Sequence, residues 1–339
     1  MLYSTEIVNK RNTVKTHVSA VNSADLFERM GKNKNGLFVA DKTFYETHKN
    51  LTEYLPAEKT FVFTGGEENK TLSSVEKILD FFTDKNADKS TVVYAIGGGV
   101  TGDVTGFACS VYMRGIEYVN VPTTLLSMCD SSVGGKTGVD YDGVKNLVGT
   151  FYPPSRTVIA VDLVKDLTKP PFNDGVSEIL KCAMIGDSKI YKMLQNKSFD
   201  LAELIIRTLK VKAKYVRKDF YDRGERKILN LGHTFAHAIE SASGFTVSHG
   251  KAVGAGLVLA TKYACLQKIC REDFSDEIIG ILASYGLDAT RPYSVKELVP
   301  YMKKDKKADE NGVFMILPVA KNKCEIRYVT FESLEKSEL

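Results

Sequence analysis

Three of the five histidines in this 339-residue chain lie in one short segment. His233 and His237 are four residues apart in the string LNLGHTFAHAIE, and His249 follows in SHGKAVGAG. Asn230 and Gly232 interrupt the helical pattern, so a new helix is predicted to begin near His233, with His237 on the same face. Neutral imidazole is a common metal ligand and carries protons near neutral pH. The segment therefore indicates metal binding or proton transfer, against the alternative of two hydrogen-bonded core histidines.

A glutamate ahead of this segment completes a set of possible metal ligands. Glu178 and Lys181 are three residues apart on a predicted helix that Asp174 can cap. Alone, such a pair is typical of an ordinary surface ion pair. Together with His233 and His249, however, Glu178 gives the carboxylate and two imidazoles that catalytic zinc uses while one coordination position stays open. We therefore predict a site for one divalent metal ion, Zn²⁺ in preference to Co²⁺.

Glycines in the first half of the chain form a pattern that some phosphate-binding turns share. Gly97, Gly98 and Gly99 follow a predicted strand, 91–96, and precede a predicted helix. Glycines at such a turn let backbone amides approach a pyrophosphate. The usual dinucleotide-binding pattern has an acidic residue at the end of the next strand, but here Asp103 lies inside the motif instead. The turn is thus either a nucleotide-phosphate site of a different build or a packing contact.

A second glycine-rich segment, residues 122–154, combines paired glycines with cations. Gly134 and Gly135 directly precede Lys136. A loop that binds a phosphate needs such glycines, because close approach excludes Cβ atoms, and lysine supplies the charge. The segment is not a Walker A loop, since Asp130 stands where that motif requires glycine. An anion-binding loop is favoured over a purely structural one.

Basic residues in the second half of the chain could also bind an anion. Lys212 lies on the apolar stripe of a predicted helix, 201–216, where a lysine either extends to solvent or faces a buried anion. Arg226 lies four residues before Asn230, at the entrance to the histidine helix. Residues 305–307, Asp-Lys-Lys, follow another predicted helix, whose dipole also favours cations there.

Composition narrows the class of protein. With 43% hydrophobic residues the chain can bury a full core, and its length predicts two domains. The net charge is only +4, which argues against nucleic acid as the main partner. No apolar run approaches the roughly 18 residues that span a bilayer, and the start, MLYSTEIVNK, does not have the pattern of a signal peptide. The six cysteines show no CxxC spacing and indicate reduced thiols. We therefore expect a cytoplasmic protein with no membrane partner.

The pattern of elements changes between Pro153-Pro154 and Pro170-Pro171. Alternating apolar runs and helical patterns in the first part predict parallel βαβ units, whose ligands bind beyond the carboxyl ends of the strands. Helices dominate the second part until a terminal hairpin. We predict an α/β domain at 1–170 and an α-helical domain at 171–339. The predicted strands are 36–40, 60–64, 91–96, 118–121, 157–161, 314–318 and 326–331, and the predicted helices are 71–82, 101–113, 174–185, 201–216, 233–241, 251–269, 276–285 and 295–302.

The order and spacing of these segments resemble the 3-dehydroquinate synthase family, of the sugar-phosphate cyclase superfamily, over nearly the whole chain. The matching strings are GGEENKT, GGGVTGD, RGIEYVNVPTTLLSMCDSSVGGKTGVD, KNLVGTFYPP, GVSEILK, LNLGHTFAHAIE and SHGKAVGAG. The resemblance implies a Rossmann-like α/β domain with a parallel sheet that binds NAD⁺, followed by an all-α domain that binds a metal. It agrees with the change of pattern near residue 170.

The resemblance also implies roles for individual residues. The metal ligands would be Glu178, His233 and His249. The NAD⁺ contacts would be Asp41, Glu67, Lys70, Gly98, Gly99, Asp103, Thr123, Thr124, Lys136 and Lys145. The substrate-site residues would be Asp130, Lys136, Asn146, Lys181, Lys212, Arg226, Asn230, His237, and Lys306 or Lys307. Arg114 would reach the phosphate site of a neighbouring subunit, which implies a homodimer. We expect Lys136, Asn146 and Arg114 on the substrate phosphate, and Lys212 and Arg226 nearer its carboxylate. His237 is the candidate for proton handling, although the substrate's own phosphate could take that proton.

Two positions depart from the family pattern. The usual Asp-Glu pair after the Lys212 helix is Asp219-Phe220, and the usual glycine before the second histidine is Ala236. Neither departure removes a metal ligand.

The implied activity is that of a carbon–oxygen lyase of the shikimate pathway. It converts 3-deoxy-D-arabino-heptulosonate 7-phosphate to 3-dehydroquinate and phosphate through transient oxidation at C5 by NAD⁺, phosphate elimination, re-reduction, ring opening and intramolecular aldol closure. A substrate with a carboxylate and a phosphate explains why cations converge in a nearly neutral chain. The alternatives are a sister cyclase acting on glucose 6-phosphate or sedoheptulose 7-phosphate, or a metal-dependent polyol dehydrogenase. A non-catalytic scaffold is disfavoured, because it has no use for the whole ligand set.

Overall fold

The computed structural model describes residues 3–8, 15–164, 170–289, 293–304 and 308–339. Its contacts divide the chain into two compact units, one of Met1–Lys165 with Leu201–Leu209 and the other of Asp166–Asp200 with Lys210–Leu339. The division into functional domains at 1–170 and 171–339 stays a prediction. Lys306 and Lys307, two predicted substrate-site residues, lie outside the described residues.

The first unit is built on a mainly parallel sheet. Its described strands are β1 (Tyr3–Val8), β2 (Lys15–Val21), β3 (Gly36–Asp41), β4 (Thr60–Phe63), β5 (Val92–Gly97), β6 (Glu117–Pro122), β7 (Lys136–Tyr141), β8 (Val144–Phe151) and β9 (Arg156–Ala160). Among them, seven form one sheet in the order β1-β2-β9-β6-β5-β3-β4. Only β1 and β2 pair antiparallel in this sheet, and every other neighbouring pair is parallel. The predicted α/β class is confirmed.

Helices cover both faces of this sheet. They are α1 (Ser23–Gly31), α2 (Lys42–Thr47), α3 (Lys49–Thr52), α4 (Leu72–Asp84) and α5 (Gly99–Val111). Leu37 of β3 packs in a core with Ile78 of α4 and Val104 of α5, whereas the next residue, Phe38, packs with Phe27 of α1. Successive strand residues point to opposite faces. Because both faces of β3 and β5 are buried, these central strands are mostly apolar and short apolar runs predicted them, whereas β1 and β2, with many polar residues, were not predicted.

The predicted anion-binding loop is partly a hairpin. Strands β7 and β8 pair antiparallel from Lys136 opposite Phe151 to Tyr141 opposite Val144. Gly138 and Gly149 allow the two strands to approach closely. A Cβ on Gly149, for example, would lie 2.2 Å from the Thr137 carbonyl oxygen. The expectation of a continuous loop is therefore wrong for this stretch, and part of its glycine content is explained by strand packing.

The second unit is mostly helical, as predicted. Its helices are α6 (Pro170–Gly186), α7 (Ser188–Asn196), α8 (Leu201–Lys218, of which the first half belongs to the first unit), α9 (His233–Ala242), α10 (His249–Leu266), α11 (Ser275–Ser284), α12 (Val295–Met302) and α13 (Phe331–Glu335). The terminal hairpin pairs β10 (Gly312–Ala320) with β11 (Lys323–Thr330). Helix α6 starts earlier than predicted, so Asp174 lies inside it and is not its cap. Within the described ranges, each helix is too short or too polar to traverse a lipid bilayer.

Candidate active site

Glu178, His233 and His249 converge in the second unit. One ligand atom from each lies within 4.8 Å of the other two. The Nε2 atoms of His233 and His249 are 3.4 Å and 3.3 Å from the same carboxylate oxygen, Oε1 of Glu178. Glu178 is buried, whereas the two imidazoles are partly exposed. A carboxylate and two imidazole nitrogens around one point form a donor set that can hold a divalent metal ion.

His233 is the first residue of α9 and His249 is the first residue of α10, so the start of each helix positions its imidazole. His233 follows Gly232, whose φ of 78° is the left-handed conformation that favours glycine. A Cβ on Gly256 of α10 would lie only 2.2 Å from the Gly232 carbonyl oxygen. These two glycines therefore let α10 approach the turn that presents His233.

His249 is placed against α6 by small residues and hydrogen bonds. The Ser248 hydroxyl donates to Oδ1 of Asp174 at 2.8 Å, and the Ser177 hydroxyl donates to the Gly250 carbonyl at 2.7 Å. A Cβ on Gly250 would lie 2.2 Å from the Cα of Asp174. Because Ser177 directly precedes Glu178, the start of α10 is held at the position of the carboxylate ligand.

The outer nitrogens of both imidazoles have partners of their own. Nδ1 of His233 lies 3.1 Å from the Leu231 carbonyl oxygen, an acceptor, so this nitrogen carries the proton and Nε2 presents its lone pair. Nδ1 of His249 lies 3.2 Å from Oε1 of Glu240. Sequence reasoning missed Glu240, although it lies seven residues after His233 and so on the same helical face. Such partners fix the ring orientation of metal-binding histidines.

A buried cation shares the site. Lys181, 3% exposed, forms an ion pair with the other oxygen of Glu178, Oε2. Burial alone would raise the pKa of Glu178, but Lys181 and the two imidazoles hold that pKa well below its usual value. The carboxylate is therefore ionised, with Oε2 directed to Lys181 and Oε1 to the imidazoles.

The two histidines differ in their protonation. Burial, with the nearby charge of Lys181, holds the pKa of His233 well below its usual value, although Glu178 acts in the other direction. Burial also opposes protonation of His249, but hydrogen bonds to Glu178 and Glu240 raise its pKa to about 10. A metal ion takes only the neutral imidazole, so at His249 it competes with a proton.

The structure places the other predicted residues of the second unit as follows. Lys212 and Arg226 are buried, at 6% and 3% exposure, so Lys212 does not extend to solvent. Nη1 of Arg226 donates to the Phe220 carbonyl at 2.6 Å, and Asn230 donates to the Lys227 carbonyl at 3.1 Å. His237 is exposed, with its ring edge-on to His233 at 5.6 Å between centroids.

The glycine turn of the first unit has the geometry that a phosphate site requires. Gly98 directly precedes α5, which begins at Gly99 with no side-chain cap. The Thr123 amide donates to the Gly97 carbonyl at 2.9 Å, which ties the ends of β5 and β6 together. A Cβ on Gly98 would contact the Thr124 methyl group at 3.6 Å. The helix N-terminus and these two threonines therefore meet at the carboxyl edge of the sheet.

A polar network links three predicted residues that lie far apart in sequence. Nζ of Lys70 donates to Oδ2 of Asp103 at 2.7 Å and to Oδ1 of Asn146 at 2.6 Å. Lys70 is buried, and the Asp103 side chain is 21% exposed. Asp140 adds support, since its amide donates to the Lys70 carbonyl and its carboxylate accepts from the Asn146 amide. Asn146 has a φ of 53°, a left-handed conformation that asparagine adopts more readily than most residues.

The remaining predicted residues of the first unit are more exposed. Asp41 caps α2 by accepting from the Phe44 amide at 3.1 Å. Glu67 and Lys145 form a half-exposed pair, with Nζ and Oε1 3.8 Å apart. The other three are partly or fully exposed: Arg114, Asp130 and Lys136.

Comparisons with known proteins find one family over most of the chain. Residues 60–174 match the model of the 3-dehydroquinate synthase N-terminal domain, and residues 175–308 match that of the C-terminal domain. Among curated relatives, the 3-dehydroquinate synthase of Dictyoglomus thermophilum is 39% identical, covering 89% of this chain and 86% of its own. That of Clostridium tetani is 37% identical, covering 92% and 83%.

Solved structures share the fold. A 2-epi-5-epi-valiolone synthase from Streptomyces hygroscopicus, with NAD⁺ and Zn²⁺ bound, has a TM-score of 0.84 at 22% identity and covers 96% of each chain. A 2-deoxy-scyllo-inosose synthase with carbaglucose-6-phosphate, NAD⁺ and Co²⁺ has a TM-score of 0.85 at 23% identity and covers 99% of each chain. These likenesses confirm the fold class that the sequence predicted. From the two domain models and the curated relatives, we conclude that the chain belongs to the 3-dehydroquinate synthase family.

Proposed function

We propose that this chain is a lyase that converts 3-deoxy-D-arabino-heptulosonate 7-phosphate to 3-dehydroquinate and phosphate. The observation that carries the proposal is the uninterrupted match of residues 60–308 to both family domains. The convergence of Glu178, His233 and His249 within 4.8 Å supports it independently, because a protein that had lost this chemistry would not need such a set.

Glu178, His233 and His249 would hold the metal, and we assign Zn²⁺ to it. The donor set fits, since one carboxylate oxygen and two Nε2 atoms face each other while the outer nitrogens are held by Leu231 and Glu240. When bound, the ion supplies Lewis-acid stabilisation of a substrate alkoxide. Lys181 has a positioning role, because it holds the second carboxylate oxygen of Glu178.

The first unit would bind NAD⁺ at the glycine turn. Gly98, Gly99 and the start of α5 offer backbone amides to a pyrophosphate, and Lys70 holds Asp103 so that its carboxylate can accept from nucleotide hydroxyl groups. When bound, NAD⁺ supplies reversible hydride transfer.

The substrate's anionic groups account for the remaining cations. Lys212 and Arg226 are buried in the second unit, and we assign them to the substrate carboxylate because an ammonium and a guanidinium group can both donate to it. Lys136 and Asn146 are the phosphate contacts that we assign within the chain. His237 is exposed, with its ring edge-on to that of His233, and we assign to it the proton transfer with bound substrate.

We further assign a homodimer and a cytoplasmic location. Arg114 is exposed on its turn, as a residue assigned to the phosphate site of a second subunit has to be. The free cysteines suit a reducing compartment.

The test uses purified protein with NAD⁺, Zn²⁺ and one sugar phosphate at a time. We expect phosphate release and 3-dehydroquinate from the heptulosonate phosphate, with no net NADH. A carbocycle formed from glucose 6-phosphate or sedoheptulose 7-phosphate instead would establish a sister cyclase. Net NADH production from a polyol would establish a dehydrogenase.

A substitution tests the metal assignment. His249→Ala should abolish turnover and zinc retention but leave NAD⁺ binding largely intact. The matched control is His17→Ala, because that imidazole is 64% exposed in the first unit. Near-normal turnover in His249→Ala would refute the assignment.

A further inference from the structure

Arg114 lies on a strained turn. Met113 has φ 48° and Arg114 has φ 61°, and Gly115 follows with φ 113°. Two consecutive non-glycine residues in the left-handed region are unusual, because each Cβ is crowded there. Such strain persists only where the surrounding structure enforces it, and it is found preferentially at functional positions.

One lysine holds both ends of this strained segment. Nζ of Lys89 donates to the Met113 carbonyl at 2.6 Å and to the Gly115 carbonyl at 2.8 Å. The two carbonyls flank Arg114 in the sequence. The amine therefore fixes the Met113–Arg114 peptide group before the arginine and the Gly115–Ile116 peptide group beyond it, and it adds a positive charge nearby.

Lys89 is itself on a fixed loop. The Asp88 carboxylate accepts from the amide and the hydroxyl of Ser90, each at 2.8 Å, and the Asp88 amide donates to the Thr91 hydroxyl at 2.9 Å. The Tyr112 hydroxyl donates to the Ala87 carbonyl at 3.2 Å, which ties the turn back to the same loop. Lys89 thus starts from a defined backbone position.

An aromatic residue also contacts this turn. The Tyr152 hydroxyl donates to the Ile116 carbonyl at 2.9 Å and lies 3.0 Å from the position of a Cβ on Gly115. Two side chains, those of Lys89 and Tyr152, therefore hold the backbone of the turn and of the residue that follows it.

We propose that Lys89 is a positioning residue that presents the Arg114 guanidinium to the substrate phosphate. The inference rests on the proposed function, in which Arg114 binds the phosphate in a neighbouring subunit. Lys89 acts through the backbone of the arginine turn and also raises the local positive potential. Without it, Met113 and Arg114 can return to the favoured right-handed region, which redirects the guanidinium.

The test compares Lys89→Met, Lys89→Arg, Arg114→Ala and the Lys89→Met/Arg114→Ala double variant. The readouts are KM and kcat for the heptulosonate phosphate and the inhibition constant of inorganic phosphate. We expect Lys89→Met to raise KM and the phosphate inhibition constant about three- to tenfold with kcat nearly unchanged. Lys89→Arg should keep most of the affinity for phosphate that Lys89→Met loses. In the double variant, Lys89→Met should add little to the loss that Arg114→Ala already causes.

The matched control is Lys59→Met, since Lys59 also donates to a backbone carbonyl, that of Lys34 at 2.7 Å. Light scattering and thermal unfolding should show the same assembly and stability in both lysine variants. If Lys89→Met behaves like Lys59→Met, or if its effect is additive with Arg114→Ala, the positioning role is wrong and the proposed function stands. If Arg114→Ala leaves the phosphate constant unchanged, the assignment of Arg114 fails and this inference fails with it. Absence of 3-dehydroquinate from the unsubstituted protein would instead overturn the proposed function.

Discussion

The Nδ1 atom of His249 lies 3.2 Å from Oε1 of Glu240, while Nε2 of the same ring lies 3.3 Å from Oε1 of Glu178. The imidazole is thus held between two buried carboxylates, one on each side. Glu240 belongs to α9, which begins with His233, and His249 begins α10. The contact therefore fixes the two helices that supply imidazole ligands relative to each other at the site itself.

Removing this carboxylate should weaken metal binding without removing a ligand. Glu240→Ala leaves the His249 ring without its acceptor, so we expect zinc affinity to fall about 10- to 100-fold. Glu240→Gln keeps an acceptor oxygen, so its zinc affinity should fall less than that of Glu240→Ala. Competition with a fluorescent zinc chelator measures the affinities. Wild-type affinity in Glu240→Ala would show that Glu240 does not support the site.

The close approach of α10 to Gly232 gives a second prediction. A Cβ on Gly256 would overlap the Gly232 carbonyl oxygen, at 2.2 Å, so Gly256→Ala must displace the turn before His233. We expect a loss of about 1–3 kcal/mol in the free energy of unfolding, and lower zinc retention. Urea unfolding and metal analysis measure the two effects.

Gly280→Ala is the control, because a Cβ there meets nothing within 4 Å and the residue lies in helix α11. It should be neutral or stabilise the protein by about 0.4–1 kcal/mol. Equal stability losses in both glycine variants would contradict the packing argument.

His233 and His249 could be singled out from sequence because they lie in a distinctive local pattern, and Glu178 only in combination with them, whereas the residues that support these three could not. Glu240 is on the predicted face of α9, but its partner His249 is on another helix, and residue spacing does not give distances between helices. The same holds for Asp174, which the sequence suggested as a cap and the structure places inside α6, where it accepts from Ser248.

The fold shows the same limit. Strands buried on both faces were predicted, because their apolar runs are unambiguous. The β7–β8 hairpin was not, because Tyr141, Val144 and Leu147 are exposed and its glycines resemble those of a phosphate loop. Helix α1 was also missed, although Asn22 caps it by accepting from the Ala24 amide. Its short apolar face did not stand out from the flanking sequence.

Asp219 should control the position of Arg226. Its carboxylate accepts from the amides of Arg223, Gly224 and Arg226 at 3.0, 2.7 and 3.1 Å. Desolvation raises the pKa of Asp219, but these hydrogen bonds lower it by a larger amount, so the net shift is downward. Asp219→Asn replaces an acceptor oxygen by a donor, and we expect KM for the substrate to rise about tenfold as the loop rearranges.

The control for that change is Asp142→Asn, in the exposed turn between β7 and β8, where a φ of 51° suits asparagine. Its kinetic constants should stay at wild-type values. An unchanged KM in Asp219→Asn would show that Asp219 does not position the guanidinium.

Lys70 gives a prediction for pH. Burial lowers the pKa of Lys70, but Asp103 more than compensates and raises it above the ordinary value of 10.5. A group whose pKa is higher in the folded state contributes its full stability below the unfolded value and loses it as pH rises through the folded value. The stability that Lys70 provides should therefore be constant from about pH 8 to 10 and decline above 10.5.

The measurement is urea unfolding of the wild type and Lys70→Met across that range. Because other residues titrate equally in both proteins, the difference between them isolates Lys70. At pH 8 we expect Lys70→Met to lower the free energy of unfolding by about 1–3 kcal/mol, since Asp103 and Asn146 lose their donor. Lys145→Met is the control, because its contact with Glu67 is long and half exposed, and it should cost little at any pH. A wild-type advantage over Lys70→Met that grows above pH 10.5 would reverse the predicted sign and show that the ammonium form is not what the Asp103–Asn146 network stabilises.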